Sequence, residues 1–129
     1  MLKRTLGACA IFASVALSSV TMAANLEQNM VTIATNYKAF NDAKTAQDAN
    51  KALDQMRAAS LDSKKSTPMK LIGKADTSPE VKGYKAGLDS LVAQIDKTKA
   101  LVNAGKLDQA KLEGKKLLAI RDQGHKLYK

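Results

Sequence analysis

His125 is the only histidine in the 129 residues, and Cys9 is the only cysteine. A neutral imidazole is the commonest protein metal ligand and titrates near neutral pH when unperturbed. Read alone, a histidine so near the C-terminus is a solvated helix residue. Its neighbours add something: Arg121, His125 and Tyr128 share a helical face, with Leu117 and Leu118 one turn above, so His125 lies beside an apolar stripe. The functional alternative is therefore a metal-linked role at one end of a helix.

Several chemistries are excluded by counting. Ser60, Ser66 and Ser90 have no other histidine to serve as base. A zinc site needs several nitrogen or sulfur ligands that the chain lacks. A di-iron bundle centre needs about four glutamates and two histidines, whereas Glu27, Glu80 and Glu113 are the only glutamates. No enzyme activity is expected.

Residues 1–23 read as a cleaved signal peptide: Lys3 and Arg4, an apolar run from Leu6 to Val20, then Thr21-Met22-Ala23 at the cleavage site. Leu6-Gly7-Ala8-Cys9 has the look of a lipoprotein box, but the apolar segment follows Cys9 instead of preceding it. Residues 24–129 then form the working domain, expected to be exported, without a disulfide or a thiol ligand. Cleavage leaves 19 basic and 12 acidic residues, a charge of +7. The lysines are scattered and only Tyr37, Phe40, Tyr84 and Tyr128 could stack on bases, so nucleic acid is not the expected partner. Stable membrane insertion is not expected either, since no second apolar segment follows the leader.

The remaining chain has the spacing of four helices and no strand. Leu26, Met30, Ile33, Tyr37 and Phe40 form an apolar seam over residues 25–42. Thr45-Ala46-Gln47-Asp48 resembles a capping box opening a second helix, with Ala49, Leu53, Met56 and Ser60 inside and an end near Lys64 or Lys65. Residues 66–77, with Pro68 and Gly73, form the one long connection. Ser78-Pro79-Glu80 starts a third helix, in which Val81, Tyr84, Leu88, Leu91, Ile95, Thr98 and Val102 keep the rhythm until Asn103-Ala104-Gly105. A fourth carries Leu107, Ala110, Gly114, Leu117, Arg121 and His125. The fold expected is all-α, an antiparallel up-down-up-down four-helix bundle.

In such a bundle both termini lie at one end. Met30 and His125 then sit at similar depths, roughly 9 and 6 Å from their helix ends at about 1.5 Å per residue. A thioether and an imidazole converging there suit the two axial positions of a haem iron. The plainer reading of Met30 is a core methionine filling an irregular gap.

The segments Asn25-Leu26-Glu27-Gln28-Asn29-Met30, Met56-Arg57-Ala58-Ala59-Ser60-Leu61-Asp62, Thr67-Pro68 and Asp76-Thr77-Ser78-Pro79-Glu80, together with the His125 ending, resemble soluble cytochrome b562 over the whole of residues 24–129. The resemblance implies a periplasmic electron-transfer protein with one non-covalent haem b (iron protoporphyrin IX), ligated through Met30 and His125. It also implies a pocket lined by Leu26, Ile33, Met56, Tyr84, Leu88 and Arg121. Arg121 is either a propionate partner or a surface arginine covering the seam with its stem. Covalent attachment is excluded, because Cys-x-x-Cys-His would need cysteines in place of Arg121 and Gly124. The sequence departs from the family at Gly124 and Leu88, where aromatics are expected, and at Met69, which replaces a proline.

The expected carrier is a monomer that exchanges electrons with redox partners, acidic ones being favoured by its basic charge. The competing reading is a haem-free periplasmic bundle, a protein-binding or stress-related module. With four aromatics, many alanines and the interior glycines Gly83, Gly87, Gly114 and Gly124, the bundle core is expected to be underfilled, which favours the haem reading.

Overall fold

The computed structural model describes the backbone of residues 22–128 and the side chains of residues 26–128. Five α-helices and one short turn of 3-10 helix account for its regular structure: α1 (Met22–Asp42), α2 (Ala46–Ser63), the 3-10 turn (Met69–Leu71), α3 (Pro79–Asn103), α4 (Leu107–Glu113) and α5 (Lys115–Tyr128). No strand occurs among the described residues. The leader expected over residues 1–23, with Cys9, lies outside them apart from its last two residues. No helix of the described residues is long and apolar enough to cross a membrane.

Local signals in the sequence account for most helix boundaries. Thr45 Oγ1 accepts the Asp48 N–H at 3.1 Å, which satisfies one of the free donors at the start of α2. Ser78 Oγ does the same for the Val81 N–H at 3.3 Å, with Pro79 next to it. At the end of α3, Lys106 N–H donates to Leu101 O and Gly105 N–H to Val102 O, a Schellman closure. That closure requires a left-handed residue, and Gly105 supplies it with φ +78°.

The helices pack in sequence order. α1 lies along α2, α2 along α3, and α3 along α4 and α5. The antiparallel register of α2 and α3 is marked by cross-helix pairs: Asn50 with Asn103, Asp54 with Lys99, Arg57 with Asp96 and Lys64 with Asp89. These pairs are largely exposed, and each such ion pair contributes about 0–1 kcal/mol, so they report register more than they confer stability. Stability comes from the apolar stripes. Ile33, Phe40, Leu53, Met56, Leu91, Ile95, Val102 and Leu117 are buried in one core. All seven seam positions of α3, from Val81 to Val102, are buried.

Two expectations need correction. The fourth helix is not continuous: it breaks at Gly114 into α4 and α5, and Leu117 N–H donates to Gly114 O three residues back at 2.9 Å. The residue at the break has to be glycine, because the fully buried ring of Phe40 occupies the space a side chain there would need. The 66–77 connection also contains a 3-10 turn, anchored by buried Leu71 and contacted by α5.

Candidate cofactor site

Phe40 on α1 meets Gly114, and Lys111 Nζ donates to Ala43 O at 2.6 Å, so α1 and the fourth helix are joined at this level. Ten residues back along α1 from Phe40 is Met30, and eleven residues forward from Gly114 is His125. At about 1.5 Å per residue, both lie roughly 15 to 17 Å from the junction, in the same direction along the bundle. Over that distance α1 and α5 have no close backbone approach comparable to the other adjacent helices among the described residues. The two ligand-type residues thus stand at matched depth on helices joined at the Phe40–Gly114 level.

The side chains around this end divide into two groups. Ile33, Met56, Tyr84 and Leu88 are buried in the common core. Leu26, Met30 and Tyr128 are partly buried and pack against that core, while Arg121 and His125 are half-buried. Arg121 is paired with its neighbour Asp122, Nη2 to Oδ1 at 3.0 Å. Turning it toward another anion requires giving up an exposed contact of small value. Asn29 Nδ2 donates to Asp62 Oδ2 at 2.8 Å and ties α1 to α2 one residue from Met30.

Tyr84 and Tyr128 are the aromatic element of this end. Their rings meet edge to face, with centroids 5.5 Å apart. The Tyr84 hydroxyl donates to Ser63 O at 2.7 Å. Burial pushes its phenol up to about 12, because the phenolate would lose its water. The Tyr84–Tyr128 pair was not foreseen; the shared face of His125 and Tyr128 was its only sequence signal.

The glycines behave differently from one another. Gly124 is half-buried, and no heavy atom lies within 4 Å of where its Cβ would stand. Gly87 is open in the same sense but exposed. Gly83 is also exposed, and a Cβ there would meet the Tyr128 hydroxyl at 2.9 Å. Gly83 and Gly87 therefore do not underfill the core: they lie off the buried stripe of α3, and at Gly114 Phe40 already takes the space.

Two surface depressions lie toward the other end of the molecule. One of about 560 Å³ lies between α3 and α4, lined by residues including Lys97, Leu101 and Leu112; another of about 400 Å³ lies between α1 and α2 beside Asn36 and Gln55. Neither contains a predicted site residue. Among the described residues there is also no cluster of three or more His, Cys, Asp or Glu side chains that could hold a metal ion. The ligand-type side chains at the Met30/His125 end are a thioether and an imidazole, a donor set that suits haem iron and not a hard cation.

Comparison with known proteins identifies the family. The family model for cytochrome b562 matches residues 25–129. The Yersinia pestis protein "Probable soluble cytochrome b562 2" is 36% identical over 126 residues, covering 98% of each chain. A second Yersinia pestis protein, "Probable soluble cytochrome b562 1", is 35% identical over 116 residues, 90% of this chain and 91% of its own. An uncharacterized protein of Pasteurella multocida, PM0670, is 29% identical over 106 residues, 82% of each. With its helical order, its core and a match that runs through α1 to α5, the chain belongs to the cytochrome b562 family.

Proposed function

We propose that the protein is a periplasmic electron carrier that holds one haem b without a covalent bond, between Met30 and His125. Family membership supports a haem-binding, electron-transfer type of protein. The observation that carries the finer reading is the matched depth of Met30 on α1 and His125 on α5, where these helices are not closely packed.

The bound group supplies one-electron exchange between ferrous and ferric iron, and the protein's own residues determine how readily. Met30 offers a thioether, which favours the reduced metal. His125, in the last turns of α5, would offer an imidazole. Ile33, Met56 and Leu88 provide an apolar wall that keeps water away, and Tyr84 is held in place by its bond to Ser63 O. Arg121 is one turn from His125 and can exchange Asp122 for a propionate. Gly124 leaves the position next to His125 open, where a bound group would be reachable by solvent and partners.

The test is the visible spectrum of the chain beginning at Ala24, reconstituted with haem and recorded before and after dithionite, with Met30→Ala and His125→Ala alongside. Sharp reduced bands that broaden or vanish in both variants support the assignment. No Soret band after haem titration removes it, and the haem-free bundle becomes the leading reading.

A further inference from the structure

We propose that Asn29 and Asp62 are a positioning pair that holds the start of α1 against α2 and so presents the Met30 thioether to the haem iron; the inference rests on the Met30/His125 reading above. In the chain that begins at Ala24, Met30 falls within the first two turns of the helix. Chain ends and helix ends fray unless something ties them down. A ligand so placed needs a tie close by. Asn29 supplies one: its Nδ2 donates to Asp62 Oδ2 at 2.8 Å, and both residues are half-buried. Among the described residues this is the only side-chain hydrogen bond between α1 and α2, whereas α2 and α3 share several polar pairs.

Apolar packing does not do the same work. Leu26 and Ile33 on either side of Met30 pack against or within the core and decide which face of α1 turns inward, but their burial is non-directional. A hydrogen bond has a required distance and angle, and this one is fixed one residue, about 1.5 Å along the axis, from Met30. Groups that orient a metal ligand without touching the metal set how strongly that ligand binds. The effect is largest for the thioether in the oxidised protein, because methionine ligation favours ferrous over ferric iron and the ferric bond is the weaker one to hold. A tie that served stability alone would lower the unfolding free energy and leave the competition for the Met30 position unchanged.

The experiment is titration of the haem-loaded ferric chain beginning at Ala24 with imidazole, which competes with the thioether, followed by the visible spectrum. Asn29→Ala and Asp62→Ala should each lower the imidazole concentration at half displacement by about tenfold, the factor set by one hydrogen bond of ordinary net strength. In the haem-free chain, amide exchange from Met30 to Ile33 should speed by a similar factor. Asn29→Asp combined with Asp62→Asn lets the amide donate from the other helix and should restore both quantities. Lys99→Ala removes a tie between α2 and α3 remote from the site and should change neither. Half displacement or amide exchange unchanged in the two alanine variants, an effect equalled by Lys99→Ala, or an exchanged pair that restores neither quantity overturns the proposal. If the parent's ferric spectrum matches that of Met30→Ala, the haem-ligand reading itself falls and the proposal with it. Failure of that reading is thus seen in the parent, and failure of the positioning pair in the variants.

Discussion

The Phe40 ring fills the place of a side chain at Gly114: a Cβ there would stand 2.6 Å from Phe40 Cε2 and 3.2 Å from Ala110 O. Neither neighbour can move away cheaply, since Phe40 is fully buried and the carbonyl is backbone. Gly114→Ala is therefore expected to destabilise the protein by about 1–3 kcal/mol despite alanine's better helix propensity. Urea unfolding of the haem-free chain measures this. A neutral or stabilising result would mean that the fourth helix straightens and the junction is not the constraint described.

Tyr84 couples stability to alkaline pH. Its folded phenol is held at about 12 by burial, above the ordinary value of 10, while the unfolded phenol is free to ionise at that value. The stabilising preference for the neutral form is complete below pH 10 and is lost as pH rises from 10 through about 12. Wild-type stability should fall over that window, and Tyr84→Phe should flatten the fall. At neutral pH the same variant should cost about 0.5–1.5 kcal/mol for the hydrogen bond to Ser63 O, which keeps a second donor in the Ser66 N–H. Equal alkaline slopes in the two proteins would remove Tyr84 as the cause.

The exposed glycines of α3 make a different prediction. Gly87 has nothing within 4 Å of its Cβ position and has no left-handed backbone, so Gly87→Ala should stabilise the protein by about 0.5–1 kcal/mol. Gly83→Ala should gain less, because its Cβ must displace the Tyr128 hydroxyl from the edge of Tyr84. Thermal unfolding of the two variants side by side decides it; the reverse order would show that Tyr128 is not held over Gly83.

How far the sequence could be read depended on whether a feature is local. The seam of α3 was legible in full, since burial on one face needs only the three-four spacing. The caps at Thr45 and Ser78 and the stop at Gly105 were legible for the same reason: their partners lie within a few residues. The steric requirement for glycine at Gly114 was not, because it comes from Phe40, which is distant in sequence. Burial of the glycines failed too, since glycine carries no hydropathy signal to tell an inner face from an outer one. At the candidate site the types and depths of Met30 and His125 could be read, but not the seating of Tyr128 on Tyr84 or the Arg121–Asp122 pair.

Gly124 gives the sharpest prediction at the candidate site, because the space beside it is empty of protein atoms while the residue next to it is His125. A ligand that binds only the folded chain stabilises it by about 2.7 kcal/mol when its free concentration is a hundred times its dissociation constant. Haem should therefore raise the thermal midpoint, and His125→Ala should abolish most of that rise without comparable loss in the haem-free form. Gly124→Tyr places an aromatic ring in the open space, where it can cover the edge of the group. Lower access of water to the haem should raise the reduction potential and tighten binding. Spectroelectrochemistry and haem titration of Gly124→Tyr test both effects, with Gly124→Ala as the control for helix propensity alone. Unchanged potential and affinity in Gly124→Tyr, with haem bound in the parent protein, would show that the open position does not border the cofactor.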